Sequence, residues 1–293
     1  MKERTIYALG FFDGVHLGHQ ALLAEAVRLA RQLNMQAGAI TFLQHPQALF
    51  TKTAPALINT DADRDRLMRR FGVEVIRKLP VTKDVMSTPW ERFLLDLLAE
   101  DAAGFVCGED YRFGHKGEGD AQRLQAFCAE RSLPCVVVPD QRIDGIRVSS
   151  TYIRCLLEQG EMEKAVKFLG HPHILSGPVV SGRGLGHTMG IPTANLVLPA
   201  DLIQPKLGVY ACKASVADRE YLAVTNIGSR PTVGGHHITV EPWLLDFDGD
   251  LYGKEMILSF HTFLRPEQKF GSLEELQGEI RKNAAQTRKI LGK

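Results

Sequence analysis

The stretch that decides the fold is Thr5-Ile6-Tyr7-Ala8-Leu9-Gly10-Phe11-Phe12-Asp13-Gly14-Val15-His16-Leu17-Gly18-His19. Residues 5–9 form an apolar, β-prone run and read as a strand. Gly14 and Gly18 then permit positive φ and close approach of the backbone to a ligand. Over 19–33 the pattern turns helical: Leu22, Ala26, Leu29, Ala30 and Leu33 make one apolar stripe, with Glu25, Arg28 and Arg31 off it. Strand, glycine turn and helix in that order suit phosphate, because first-turn amides lack partners and the helix dipole adds partial positive charge. His16 and His19 stand at that turn, three residues apart. Both can face one ligand and donate hydrogen bonds to charge that builds at phosphorus. An isolated His-x-Gly-His reads equally as a capping and a surface histidine; the setting favours the phosphate reading.

Outward from this stretch, short apolar runs alternate with amphipathic ones. Strands are expected over 37–42, 73–76, 105–107 and 135–138. Helices are expected over 63–71, 90–98 and 121–130, with Ser87 and Pro89 as the start signal of the second. Such alternation gives a parallel sheet covered by helices, with ligands at the carboxyl ends of the strands. Near Leu169-Gly170-His171-Pro172 the character changes. Glycine-punctuated β-type runs follow over 174–180, 194–198, 209–216, 221–227, 238–247 and 255–263. Asp218-Arg219-Glu220 and Asp248-Gly249-Asp250 read as hairpin connections. This pattern favours an antiparallel barrel or sandwich. Ser272-Leu273-Glu274-Glu275 is a capping box that opens a closing helix. Two domains are expected, 1–170 and 171–293.

Composition excludes several classes. Lys and Arg number 35 against 34 acidic residues in 293, a formal charge of +1, so no basic face for nucleic acid is expected. The scattered Cys107, Cys128, Cys135, Cys155 and Cys212 include no C-x-x-C pair, and read as small core residues. No leader pattern and no apolar run of membrane-spanning length is evident, so a cytoplasmic location without a membrane partner is expected. Self-association is left open.

Further motifs fall at strand exits. Arg147-Val148-Ser149-Ser150-Thr151-Tyr152-Ile153-Arg154 opens a helix whose hydroxyls and guanidinium can hold phosphate oxygens, although Ser-Ser-Thr is also a plain N-cap. Thr41-Phe42-Leu43-Gln44-His45-Pro46 follows the second strand. Gly108-Glu109-Asp110-Tyr111-Arg112-Phe113-Gly114 combines aromatics, glycine and charge, a mix that suits a planar ring. In the second half, Ser181-Gly182-Arg183-Gly184-Leu185-Gly186-His187-Thr188-Met189-Gly190 lacks the ending of a P-loop. Thr193 and Asn195 after it offer the neutral oxygens that Mg²⁺ accepts. Glu241 lies in an apolar run, where an unpaired charge is costly. Gly234-Gly235-His236-His237 is a weak metal candidate, since adjacent histidines point apart.

Together these motifs resemble the prokaryotic bifunctional riboflavin kinase/FMN adenylyltransferase family over about residues 5–291. The resemblance implies a Rossmann-like nucleotidyltransferase domain with a parallel sheet, then a six-stranded antiparallel β-barrel with a C-terminal helix. It implies phosphorylation of riboflavin to FMN, followed by adenylylation of FMN to FAD with loss of pyrophosphate. The substrates are then ATP, riboflavin and FMN, with Mg²⁺ as cofactor. ATP is assigned to Gly10, Phe12, Asp13, Gly14, Gly18, Ser150, Thr151 and Arg154 in the first domain, with His16 and His19 on its phosphates. In the second domain it is assigned to Gly182, Gly184, Gly186, Thr193 and Asn195, of which Thr193 and Asn195 hold Mg²⁺. Flavin is assigned to His45, Asp110, Phe113, Arg230, Trp243 and Arg265, and Glu241 becomes the base for the ribityl 5′-hydroxyl. Trp243 reads either as a wall for the isoalloxazine or as core. Tyr111, Gln44, His187 and the Pro242-Trp243 pair depart from the family pattern.

Three other readings are weighed against this one. A single-function adenylyltransferase with a silent β-domain is disfavoured by intact Thr193, Asn195 and Glu241. A non-enzymatic flavin-binding module predicts a damaged phosphate motif, and none is visible. A class I aminoacyl-tRNA synthetase also carries His-x-Gly-His, but here there is no anticodon domain and no basic face.

Overall fold

The computed structural model describes residues 3–49, 54–181, 191–232 and 235–292, with only the backbone for 230–232 and 235–237. The chain forms two compact units, Met1–Leu57 with Arg64–Ser150, and Ile58–Asp63 with Thr151–Lys293.

The first unit contains β1 (Thr5–Leu9), α1 (Leu17–Leu33), β2 (Gln36–Phe42), most of α2 (Asp61–Arg70), β3 (Val75–Leu79), α3 (Lys83–Met86), α4 (Trp90–Glu100) and β4 (Ala102–Gly108). A hairpin of β5 (Arg112–Phe113) and β6 (Gly119–Asp120) follows, then α5 (Ala121–Glu130), β7 (Cys135–Val138) and a second hairpin of β8 (Arg142–Ile143) and β9 (Ile146–Arg147). The strands β3-β2-β1-β4-β7 form one parallel sheet. Chain order reverses between β1 and β4, and crevices for ligands open at such switch points. Every residue of β1 is buried, as expected of a central strand. Tyr7, Leu9, Phe105, Cys107, Leu124 and Phe127 form the core around it.

Several expectations shift by a residue or a turn. In α1 Leu23 is buried while Leu33 is 42% exposed, because the helix ends at once in left-handed Asn34 and its last turn overhangs the core. The third strand begins at Val75, not Val73. The Val73 amide is spent on the Met68 carbonyl at the end of α2, 3.2 Å away. Ser87 does not start α4. It closes α3, its hydroxyl bonding the Asp84 carbonyl at 3.1 Å, and Pro89 precedes Trp90 without a side-chain cap.

The second unit carries α6 (Ser150–Gln159, from Thr151 on), α7 (Met162–Leu169), β10 (His173–Pro178), β11 (Leu196–Val197), β12 (Gly208–Val216), β13 (Arg219–Thr232), β14 (Gly235–Leu244), β15 (Glu255–Pro266) and α8 (Leu273–Leu291). Six antiparallel strands run in the order β10-β15-β12-β13-β14-β11. A backbone bridge between Val180 and Asn195 joins the two ends, nearly closing a barrel. The first hairpin turns through Ala217 and Asp218, both at positive φ (47° and 61°), one residue earlier than the sequence suggests. The capping box forms with one change: the Ser272 hydroxyl accepts from the Glu275 amide, but the Glu275 carboxylate takes the Gly271 amide. The segment Ile58–Asp63 is stitched into this unit. Asn59 donates to the Ile174 carbonyl at 3.3 Å, and Asp63 accepts from the Ser176 amide at 3.0 Å.

Gly114 sits at φ 73°, and a Cβ there would come within 2.5 Å of the Trp90 Cα. Left-handed strain and the clash act together, so Gly114→Ala should cost about 2–4 kcal/mol. Chemical denaturation measures this; an unchanged midpoint would mean that the loop does not press on α4.

Candidate active sites

In the first unit the carboxyl ends of β1 and β2 meet the start of α1. His16 caps α1: its Nδ1 accepts the His19 amide at 3.3 Å. That bond leaves the ring proton on Nε2 when the imidazole is neutral. The His16 and His19 rings stack, with centroids 3.6 Å apart and planes within 12°. Gly18 allows this, since a Cβ there would lie 3.2 Å from the His16 ring. His19 is held well below the usual histidine pKa, first by burial and then by the neighbouring His16 and Arg64. Its Nδ1 is buried without a hydrogen-bond partner among the described residues, so a second ring proton would go unsolvated. A neutral His19 imidazole, stacked on His16, therefore lines the turn.

The turn itself is bent by force. Phe12 and Val15 adopt positive φ, 59° and 38°, beside Gly14 at 80°. Such backbone persists only where its surroundings over-determine it. The Gly10 amide bonds the Ile40 carbonyl at 3.2 Å, and Gln20 holds the Val15 carbonyl at 2.8 Å. Asp13 is buried, and its carbonyl accepts the Ser150 hydroxyl at 2.8 Å. Ser150 thus ties the loop; Thr151 and Arg154 follow it in α6, within the second unit. The Phe12 ring is wholly buried, so this residue offers a ligand only its backbone. His45 packs edge-on against Phe11, centroids 4.9 Å apart, beside the same loop.

Next to it lies a cavity of about 210 Å³ walled by Phe42, Pro46, Met86, Phe93, Tyr111 and Phe113. Phe113 is mostly core, stacked on Tyr111 at 5.5 Å and facing Trp90 at 6.3 Å, and offers the cavity one edge. Asp110 is not among the lining residues. Its carboxylate pairs with Arg147, whose Nε reaches Asp140 at 2.8 Å.

In the second unit, strand register does the assembling. Arg265, Val209, Asn226 and Glu241 stand side by side across β15, β12, β13 and β14. Two residues on, Val224 pairs with Trp243. Period-two alternation turns these side chains to one face, where they wall a cavity of about 400 Å³ together with Thr193. Helix α8 forms the other wall through Leu276, Ile280 and Asn283. Arg265 donates to the Asn283 amide oxygen at 3.2 Å; burial lowers its pKa, opposed by Glu279. Trp243 both lines the cavity and packs with Val209, Val224 and Ala284, so its two readings are one. Thr193 also borders a second cavity of about 390 Å³. Asn195 is held by its backbone bridge to Val180 and does not line the first cavity. Gly182, Gly184, Gly186 and His187, and the side chains of Arg230, His236 and His237, lie outside the described residues.

Sequence reasoning missed Arg64, which contacts the first loop, and Glu267, Phe270 and Asn283 in the second cavity. A signal existed for two of them. Arg64 precedes buried Leu67 and Met68 by three and four residues, and Asn283 continues the stripe of Leu276 and Ile280.

Comparison with known proteins adds to this. Residues 1–152 match the FAD synthetase family model and residues 169–291 the riboflavin kinase model. The chain is 34% identical to a bifunctional riboflavin kinase/FMN adenylyltransferase of Listeria monocytogenes, covering 98% of this chain and 93% of that protein. It is 34% identical to that of Escherichia coli strain K12, covering 99% and 94%. A solved structure described as a macrolide-efflux protein from Streptococcus pneumoniae superposes with a TM-score of 0.89 at 30% identity, covering 98% of this chain and 95% of that one. Among the described residues, no helix is long and apolar enough to cross a membrane.

The packing of His19 makes a direct prediction. On acidification its ring should stay neutral through the range near 6.5 in which an ordinary histidine gains its proton. Ring-nitrogen NMR against pH reads this, and titration of His19 at or above the ordinary value would refute the described environment.

Proposed function

The chain belongs to the bifunctional riboflavin kinase/FMN adenylyltransferase family, and on that premise we propose how its residues divide the two reactions. It is an enzyme of FAD biosynthesis that phosphorylates riboflavin with ATP and transfers AMP from a second ATP to FMN. We place the boundary between the two activities at 170/171, supported by family matches that end at 152 and resume at 169.

For adenylyl transfer, an oxygen of the FMN phosphate attacks the α-phosphorus of ATP, and pyrophosphate leaves. No protein nucleophile is needed. The protein supplies position and charge stabilisation. His16 and His19 donate from Nε2 to phosphate oxygens, backed by the amides at the start of α1. Gly10, Gly14 and Gly18 keep the backbone close to the nucleotide, while Thr151 and Arg154 hold the triphosphate. The apolar cavity at Phe113 receives the flavin ring, with His45 at its rim. Asp110 acts at one remove, orienting the loop through Arg147.

For phosphorylation, Glu241 takes the proton of the ribityl 5′-hydroxyl as that oxygen attacks the γ-phosphorus, a step worth about 10²–10⁴-fold. The observation that carries this reading is that Glu241, Thr193, Trp243 and Arg265 wall one cavity. Trp243 and Arg265 would border the isoalloxazine, and Arg230 stands on the same sheet. The second cavity shares Thr193 and has apolar Val179, Leu244, Phe247 and Tyr252, which suits the nucleoside end of ATP. Gly182, Gly184 and Gly186 are assigned to the phosphates of this ATP. The hydroxyl of Thr193 and the amide of Asn195 are hard, neutral donors of the kind Mg²⁺ accepts beside phosphate oxygens and water. Thr193 stands where the two cavities meet, which fits that role. Bound there, Mg²⁺ would neutralise charge on the transferring phosphates. We place the enzyme in the cytoplasm, acting on small molecules with no nucleic-acid or membrane partner. The balanced charge supports this, and self-association is compatible with it.

Glu241→Gln keeps shape but cannot take a proton, so riboflavin phosphorylation should fall about a hundredfold or more while FMN adenylylation holds near the parent rate. The pair His16→Ala with His19→Ala should do the reverse, letting FMN accumulate without FAD. Both half-reactions are followed on each preparation by separating riboflavin, FMN and FAD. Undiminished kinase turnover in the glutamine variant removes Glu241 as the base; undiminished FAD output in the histidine pair moves the transfer site elsewhere.

A further inference from the structure

We propose that Arg64 is a positioning residue for adenylyl transfer, pinning the turn after β1 to the end of β2 and so holding His16 and His19 in place. The inference rests on assigning that reaction to His16 and His19. Arg64 lies on α2 and is 3% exposed, unusual for a guanidinium in so polar a helix. Its two terminal nitrogens reach two different segments: one donates to the Phe11 carbonyl in the turn after β1 at 3.1 Å, the other to the Phe42 carbonyl at the end of β2 at 2.7 Å. The Thr41 hydroxyl shares the Phe11 carbonyl at 2.9 Å. The guanidinium carbon also stands 4.7 Å from the centre of the Phe11 ring. One side chain therefore pins the exits of β1 and β2 together, immediately before the positive-φ residues Phe12 and Val15.

The fork geometry matters. Only guanidinium offers rigid donors that satisfy two separate carbonyls while stacking on an aromatic face; an ammonium is a point charge on a flexible stem. Fixing Phe11 and Phe42 also fixes the residues just beyond them, the His16 cap on one side and His45 on the other. Charge matters separately. The groups that act on His19 are stacked His16, from its own loop, and Arg64, from α2, and both oppose its protonation. A protonated His19 beside Arg64 would place like charges together in a partly desolvated corner. With the positive charge carried by Arg64, the imidazole remains a neutral donor.

Arg64→Met keeps an unbranched apolar stem over Phe11 but loses the hydrogen bonds to Phe11 and Phe42 and the charge. Arg64→Lys keeps the charge and reaches at most one of the two carbonyls. For FMN adenylylation, the methionine variant should lose about ten- to a hundredfold in kcat. Its acidic limb in the kcat–pH profile should move upward, because His19 gains a proton more easily once the neighbouring charge is gone. The lysine variant should keep the acidic limb of the parent and recover part of the rate. Riboflavin phosphorylation by each preparation reports folding and should match the parent. A methionine variant with parental rate and limb overturns the proposal, as do lysine and methionine variants equally impaired with unmoved limbs. If the methionine variant loses kinase activity too, the lysine variant decides: a parental limb at reduced rate supports the proposal, and a shifted limb overturns it. His16→Ala with His19→Ala run alongside separates this from the underlying assignment. If that pair still makes FAD, the site is misplaced. If the pair fails and Arg64→Met does not, only the role of Arg64 falls.

Discussion

The hydrogen bond from the His19 amide to Nδ1 of His16 joins fold and chemistry at the first site. It satisfies one of the orphan amides that every helix leaves at its start. In doing so it occupies one ring nitrogen of His16 and leaves the proton of the neutral ring on the other. It also draws residue 16 over residue 19, so that the rings stack. The cap, the tautomer and the stack are a single arrangement. The strained turn and the glycine at 18 are its requirements.

The second site depends on register. Nothing in the chain places Arg265, Asn226 and Glu241 near one another in sequence, yet four paired strands set them in a line. A slip of one residue in β14 would turn Glu241 to the opposite face and bring Val240 or Pro242 into the cavity. The two-residue turn at Ala217 and Asp218 guards against such slips on the neighbouring hairpin, because its positive φ angles suit only one pairing. Helix α8 then adds a lid wall whose polar member, Asn283, accepts from Arg265. In this unit catalytic geometry is a property of the sheet, whereas in the first it belongs to a loop and a helix end.

Much of this was legible in the residues. Alternation gave the parallel sheet, and the glycine-punctuated β runs gave the antiparallel one. Local chemistry marked His16 and His19, because strand, glycine turn and helix are contiguous. Glu241 and Thr193 were marked by motif; cross-strand pairing sets Glu241 in its row, and the bond from the Ala194 amide to the Pro242 carbonyl, 2.9 Å, brings the Thr193 segment to the same cavity. What escaped was non-local. Arg64 looked like one more charge among Asp61, Asp63, Asp65 and Arg66, and its burial depends on carbonyls from the turn after β1 and from the end of β2. Phe113 and Asp110 carried a flavin-like motif, but packing by Trp90 and pairing with Arg147 decide what each one does. Ser87 showed how an N-cap residue can equally close the preceding short helix, since its hydroxyl serves whichever backbone group lies nearest.

The positive φ angles at Phe12 and Val15 carry a lesson for anyone wishing to make this enzyme hardier. Glycine at such positions is the usual remedy, worth some relief of backbone strain. At residue 12 the remedy would fail. The phenyl ring fills the space beneath Gly10, where even an added methyl on Gly10 would lie 3.1 Å from it. Removing the ring trades a bent backbone for a void of aromatic size in a fully buried place, and voids of that kind cost about 3–5 kcal/mol. The strained residue is therefore locked in from both sides. A side chain at Gly10 would need the Phe12 ring to give by a few tenths of an ångström, so the two positions are coupled.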